Sequence, residues 1–333
     1  MLSLSLKTAL PRKYSWPISQ PMIRLLLLFV VLAIAVALYL TWDIKASLAF
    51  TLKFRGKKLL TLMLVGFAIS TATLLFQTLS SNRILTPSIM GFDSLYILIQ
   101  ALLILSLGVV GFNNLNPYLK WAIEAGVMVS SLLLLYKMLF RGTTQSLQFL
   151  MLAGIIFGVL FSSASELIFR LLDPTQFAVM ENALFATFGS VQPELLKISY
   201  AVIALTVVIL WKYHAHLDVL LLGQHSATSL GVDYRRMTRL ILILIGVLVS
   251  LSTALVGPVL FFGLLVVHLA YRLSGTYQHC YLIPFATLLG MLVLIAGEFL
   301  LQHVFEFNTR LSIIIEFFGG LFFLILILKQ GKA

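Results

Sequence analysis

The chain has 333 residues, of which 60% are hydrophobic and 11% are charged, and its mean hydropathy is +1.05. This composition excludes a soluble globular domain and predicts a polytopic helical membrane protein. The net charge of +11 does not indicate nucleic-acid binding, because the basic residues are scattered at the ends of apolar runs, where they set membrane topology.

Ten apolar runs follow one another along the chain, and we predict that each forms a membrane helix of one all-α domain covering 1–333. The runs lack the alternation of membrane β-strands, so the β content should be negligible. An even number of crossings puts both termini on one side, and the distribution of Lys and Arg favours the cytosol for that side. The predicted spans are 22–40, 59–79, 96–112, 121–140, 148–171, 194–211, 237–256, 259–273, 281–303 and 311–328.

Four basic residues, Lys53, Arg55, Lys57 and Lys58, precede the second predicted span on the side opposite to the termini. They violate the positive-inside tendency locally, which invites a functional explanation. A soluble binding protein with acidic residues could dock there, and anionic lipid head groups are the alternative partner. Arg310, between the last two spans, could join the same patch.

Small residues form one face of the second span, including Gly66, Ser70 and Thr73. Such a face permits close packing of a neighbouring helix, or it widens a lumen. The sequence leaves both readings open.

The longest polar interruption in the second half covers 217–236, and we predict a short helix at 224–230 within it. Gly231 is placed to end that helix in the left-handed conformation, and Asp233 can cap the helix that follows. A short helix on the cytosolic face is a lever that a soluble motor could push, whereas the alternative is a surface loop that contacts nothing.

Residues 240–271 carry no formal charge, a length too great for one crossing and too small for two comfortable ones. Gly257 and Pro258 resolve this, because Pro258 disfavours continuation of the helix and the chain can turn there and return. Freed backbone groups at such a break need partners, so breaks tend to line a pathway. A plain kinked hairpin is the alternative.

Six ionisable residues fall within the predicted spans, where an unpaired charge is costly, and they are functional candidates by default. None has a ligand spacing such as H-x-x-x-H, and no nucleophile motif is present, so we expect no metal site, no cofactor and no catalytic residue. For Glu316 we favour an interhelical hydrogen bond over substrate binding. The six are Glu124, Glu166, His268, Glu298, His303 and Glu316.

Three blocks, at 76–96, 223–231 and 257–273, together resemble the iron-siderophore and cobalamin (FecCD-like) family of ABC importer permeases. The middle block reads G-x-x-x-A-x-x-L-G, as the family's coupling segment does. The last block departs from the family pattern, since Val267 replaces the proline usual before His268, which favours a straighter return helix.

The resemblance implies a type II ABC importer permease fold, with a cytosolic coupling segment at 217–236 and a periplasmic loop at 172–193. Arg55 and Lys58 match two basic positions that dock the family's binding protein. We assign Gly223, Gln224, Ala227, Leu230 and Gly231 to coupling, Lys53, Arg55, Lys57, Lys58 and Arg310 to docking, and Gly66, Ser70, Thr73, Gly257, Pro258, Gly263 and His268 to the translocation path or gate.

The segments 82–96 and 309–329 resemble permeases for catechol-type ferric siderophores such as anguibactin, vibriobactin or petrobactin. The resemblance implies a bacterial inner-membrane importer with a second, different permease chain, cytosolic ATP-binding subunits and a periplasmic binding protein. The chain has no G-x-x-x-x-G-K-[ST] phosphate loop, so ATP hydrolysis requires a partner subunit. A secondary active transporter of a metal chelate or other small solute is the alternative function.

Overall fold

The computed structural model describes residues 19–43, 47–139, 147–304 and 309–330, and within these ranges the chain forms helices and connecting turns without a strand. The predicted all-α fold is therefore confirmed. One short 3₁₀ helix, Pro87–Met90, accompanies the α-helices. These are α1 (Ser19–Thr41), α2 (Leu48–Ser80), α3 (Phe92–Asn114), α4 (Pro117–Leu139), α5 (Leu147–Leu171), α6 (Pro174–Ala183), α7 (Pro193–Leu220), α8 (Gln224–Ser229), α9 (Tyr234–Val256), α10 (Phe262–Ser274), α11 (His279–His303) and α12 (Leu311–Gln330).

Among the described residues, eight helices are long and apolar enough to cross a membrane, namely α1, α2, α3, α4, α5, α7, α9 and α11. The apolar helices α10 and α12 are shorter. The eight long helices and these two shorter ones follow the ten predicted spans in order, so the predicted number of helices was approximately right.

Two predicted helix boundaries were wrong. The second span begins at Leu48, so the basic cluster lies inside α2 and not before it, because Lys and Arg are good helix formers whose long stems tolerate an interface. Helix α7, which was predicted to end at 211, runs to Leu220 and includes the start of the polar segment 217–236. The loop expected at 172–193 contains α6, which Pro174 begins and Gln176 caps by accepting the backbone N–H of Asp173 at 3.1 Å.

Helix α2 is the centre of the bundle. In the apolar stretch of α2, 78% of the residues are buried inside the protein. In the corresponding stretch of α1 only 11% are buried, because α1 lies at the periphery. Helices α7, α9, α10 and α11 all pack against α2. A displacement of α2 therefore affects most of the bundle.

The closest approach in the bundle brings α2 against α11 at two glycines. A Cβ added to Gly66 would lie 2.8 Å from the backbone N of Met291, and one added to Gly290 would lie 2.7 Å from the carbonyl oxygen of Gly66 and 3.0 Å from the Ser70 hydroxyl. Gly66 and Ser70 therefore serve close helix packing. Neither faces an open lumen, so their assignment to the translocation path is corrected.

The bundle has two ends, which we name by their contents. The α8 end holds the last turn of α2, the last turn of α7 and the start of α11. There Arg83 lies between the rings of Tyr271 and Tyr277, with its guanidinium carbon 4.8 and 4.9 Å from their centroids. The far end holds the last turn of α1 and the first turns of α2.

We predict that Gly66→Ala destabilises the protein, because the added methyl must push α2 and α11 apart, at a cost of about 1–3 kcal/mol. Gly56→Ala is the matched control, since Gly56 lies in the same helix with nothing within 4 Å of an added Cβ. Thermal unfolding in detergent measures both variants. A melting temperature for Gly66→Ala equal to that of Gly56→Ala would contradict the close-packing role.

Candidate coupling segment and translocation path

Helix α8 (Gln224–Ser229) lies where the sequence predicted it and is connected to both neighbours by hydrogen-bonded turns. On the α7 side, the Gly223 N–H donates to the Leu220 carbonyl at 3.0 Å. On the α9 side, the Val232 N–H donates to the Ala227 carbonyl at 3.0 Å, the longer bond of a Schellman motif. Gly223 and Gly231 have φ values of +87° and +83°, which a residue with a Cβ adopts only with strain. Gly231 therefore ends α8 as predicted.

One side of α8 is anchored and the other is open. The side chain of Ala227 is fully buried in the main core, whereas Gln224 is exposed and Leu230, directly after the helix, is 62% exposed. Asp233 caps α9 as predicted, since its carboxylate accepts the Arg236 N–H at 3.1 Å. The segment thus presents a fixed surface at this end of the bundle, with Leu230 exposed beside α8.

The chain breaks at Gly257 and Pro258 as predicted, with α9 ending at Val256 and α10 beginning at Phe262. Gly257 has a φ of +97°, which explains the glycine. The Val256 carbonyl, which the break leaves without an intrahelical partner, accepts the Thr187 N–H at 2.7 Å. The segment after α6 therefore supplies the hydrogen-bond donor that the last carbonyl of α9 lacks within its own helix.

A small cavity of about 20 Å³ lies beside this break. Thr73 and Gly263 both line it, and a Cβ on Gly263 would collide with the Thr73 side chain. His268 lies elsewhere along α10, with its ring centroid 5.4 Å from that of Phe322 in α12. The residues that line the cavity are Ile69, Thr73, Thr86, Pro87, Ser88, Asp93, Val249, Thr253, Val259, Phe261 and Gly263.

Asp93 is the functional candidate that sequence reasoning missed. It lines the same cavity, is only 9% exposed, and its Oδ2 has no hydrogen-bond partner among the described residues. Glu316 of α12 lies within electrostatic range of it. An aspartate in the first turn of a helix is a generic N-terminal feature, so nothing in the sequence distinguishes Asp93 from other such residues. Its burial beside the break is the signal, and only the fold supplies it.

A second, larger cleft of about 270 Å³ opens between α4, the start of α7 and the segment after α6. Glu124 lines it, is 2% exposed and accepts a hydrogen bond from Gln100 of α3 at 2.5 Å. This candidate carboxylate therefore makes an interhelical hydrogen bond. Glu166 is exposed, and the Nδ1 of His303 lies 3.0 Å from its own helix's Phe299 carbonyl.

Two of the four clustered basic residues are engaged inside the molecule. The Arg55 guanidinium is buried and donates to the carbonyls of Tyr39 at 3.0 Å and Trp42 at 2.7 Å, where α1 ends. Lys58 forms an ion pair with Glu298 of α11. A docking role for Arg55 is thus at odds with its burial, a correction that stems from unpaired carbonyls at the end of α1.

Lys53 is exposed and Lys57 is half-buried, and their spacing of four places them on one face of α2. Arg310 is held near α6 instead, donating to the Asn182 carbonyl at 3.2 Å and to its Oδ1 at 2.6 Å. Of the five residues assigned to docking, Lys53 and Lys57 are therefore the two that the described residues leave outside these internal contacts.

The chain is similar over most of its length to known membrane permeases. Residues 21–329 match the FecCD transport family. The petrobactin import system permease protein YclO of Bacillus subtilis (strain 168) is 41% identical over 300 residues, covering 90% of this chain and 95% of that protein. The petrobactin import system permease protein FatC of Bacillus anthracis is 35% identical over 278 residues, covering 84% and 78%.

Among solved structures, a metal-chelate type ABC transporter in an inward-facing conformation matches the fold. Its TM-score is 0.81 at 23% sequence identity, over 93% of this chain and 99% of that one. The permease fold inferred from three short sequence blocks is therefore confirmed. With a family match over nearly its whole length and a relative at 41% identity, the chain belongs to the FecCD transport family.

Proposed function

We propose that this chain is one permease subunit of an ATP-driven importer in the bacterial plasma membrane, and that it carries a ferric siderophore of the petrobactin type into the cytoplasm. The observation that carries the proposal is α8, a short helix anchored by the buried Ala227 that leaves Leu230 open at one end of the bundle. The names of YclO and FatC, both petrobactin import permeases, supply the substrate class.

The α8 end is the cytosolic end in this proposal, and 217–236 is its coupling segment. The sequence has no phosphate-binding loop of the G-x-x-x-x-G-K-[ST] type, so ATP-binding partner subunits supply the energy. Gly223 and Gly231 fix the orientation of α8 through their backbone turns. A push on α8 by those subunits would then move α7 and α9 without being absorbed by flexible joints.

The translocation path runs along the cavity beside the Gly257–Pro258 break in this proposal. Thr73 and Asp93 line that cavity beside Gly263 and offer a hydroxyl and a carboxylate group. The cavity is too small for a siderophore, so we assign it to one wall of a path completed by a second, different permease chain. A passage of adequate width then forms between the two chains.

The far end faces the binding protein in this proposal, with 172–193 as an external segment that includes α6. Lys53 and Lys57 form the positive face that meets acidic residues of the binding protein, which steers docking and sets its register. Arg55 and Lys58 support that face from within, because they hold α1 and α11 against α2.

The direct test is uptake of iron-55-labelled ferric petrobactin into proteoliposomes that contain the chain with its co-purifying subunits and external binding protein. We expect uptake that requires ATP on the cytosolic side and persists when ionophores collapse all ion gradients. Uptake that follows an ion gradient and ignores ATP would instead favour a secondary transporter.

We predict that Leu230→Asp weakens binding of the ATP-binding subunits by about ten- to one-hundredfold, because it puts a charge in place of an apolar side chain that the proposed contact would bury. Val304→Asp, at the far end, is the matched control, since Val304 is 65% exposed and Leu230 is 62% exposed. Affinity is measured with the purified ATP-binding subunits in detergent. Equal affinities for the two variants would remove α8 from the interface.

We predict that Lys53→Glu combined with Lys57→Glu slows association with the binding protein by about tenfold or more at low salt, with the difference shrinking as salt rises. Arg55→Ala should instead lower the melting temperature, because it leaves buried carbonyls of α1 without donors. Association kinetics and thermal unfolding separate the two effects. Unchanged association for the Lys53 and Lys57 pair would place docking elsewhere.

A further inference from the structure

A buried hydrogen-bonded chain joins three helices at the α8 end. The Asp218 Oδ1 accepts the backbone N–H of His279 at 2.8 Å and lies 2.6 Å from its Nδ1, which must be the donor because a carboxylate only accepts. The other ring nitrogen, Nε2, lies 2.8 Å from the Thr78 hydroxyl oxygen. Asp218 belongs to α7, His279 begins α11, and Thr78 is in the last turns of α2.

This hydrogen-bonded chain of side chains is buried on the side of α2 and α11. His279 and Thr78 are fully buried, while the Asp218 side chain is 35% exposed. The Gln278 side chain at the N-cap of α11 makes no capping bond, so Asp218 caps α11 from another helix. A carboxylate at that position also interacts favourably with the helix dipole. Loss of Thr78 or of the Asp218 carboxylate removes the partner of one nitrogen of the buried His279 ring.

The connection from this chain to α8 is short and rigid. Asp218 precedes α8 by six positions, and consecutive turn bonds bridge the gap, from Leu222 to the Val219 carbonyl at 3.1 Å and from Gly223 to the Leu220 carbonyl at 3.0 Å. On α2, Thr78 lies about 7.5 Å along the helix axis from Thr73 of the cavity. The hydrogen-bonded chain therefore lies between α8 and the cavity.

We infer that Asp218, His279 and Thr78 form a clasp that transmits displacement of α8 to α11 and α2. The clasp residues are positioning residues, since none of them lines the cavity beside the break. When α8 is pushed, α7 carries Asp218, Asp218 draws the start of α11, and His279 draws the last turns of α2. The inference rests on the proposed function only in assigning the push to ATP-binding subunits.

The experiment uses the assembled complex with three changes, Thr78→Val, Asp218→Ala and the control Thr71→Val. Val has nearly the shape of Thr and lacks the hydroxyl. Thr71 is buried in the same helix, and its hydroxyl has no hydrogen-bond partner among the described residues, so the control removes no bond. Thr78→Val keeps the inference falsifiable if Asp218→Ala fails to assemble.

The first readout is the amount of ATP hydrolysed per ferric petrobactin delivered in proteoliposomes. Thr78→Val and Asp218→Ala should raise this ratio by about tenfold, the factor expected for one lost buried hydrogen bond, while ATP hydrolysis itself changes little. Thr71→Val should match the wild type. A wild-type ratio for Thr78→Val would overturn the clasp, whereas absence of ATP-dependent uptake by the wild type would overturn only the proposed function.

The second readout needs no cargo. Hydrogen exchange is compared with and without a non-hydrolysable ATP analogue bound to the partner subunits. In the wild type and in Thr71→Val, the analogue should alter exchange at α8, at the start of α11 and at the end of α2, whereas in Thr78→Val the change at the end of α2 should disappear. A change at α8 with none at α11 in the wild type would contradict transmission through the clasp.

Discussion

The structure depends on the antiparallel contact between α2 and α11, because the two backbones approach each other at Gly66 and Gly290 with no room for a side chain. The same pair is joined at the far end by Lys58 and Glu298 and at the α8 end by Thr78 and His279. All three contacts have the register of two straight antiparallel helices. Since α2 is the central helix, this pair sets the positions of the elements packed around it.

Helix ends in this bundle are satisfied by groups from other helices, and this explains several residues at once. Arg55 of α2 donates to the last carbonyls of α1, and Arg24 of α1 donates to the Leu273 carbonyl at the end of α10 at 3.2 Å. Asp218 of α7 caps α11, and Thr187 serves the last carbonyl of α9. In an apolar environment an unpaired helix end is costly, so these bonds fix which helices are neighbours.

Local signals in the sequence were enough to predict the helical runs, the break at Gly257 and Pro258, and α8 with its terminal Gly231, because each follows from residues adjacent in the chain. The capping of α9 by Asp233 is equally local. Partners distant in sequence could not be predicted from one chain. Asp93, for example, gains its interest only from burial beside a cavity that α2, α9 and α10 complete.

The basic cluster shows how a topological rule is kept despite an apparent violation. Within α2, Lys53 and Lys57 face outward, whereas Arg55 and Lys58 face the bundle. The inward pair is compensated locally, Lys58 by the Glu298 carboxylate and Arg55 by the negative end of the α1 dipole. Only the outward pair remains to oppose the positive-inside tendency. In the proposed orientation, local compensation of this kind lets the protein carry a positive face on its outer side without inverting its topology.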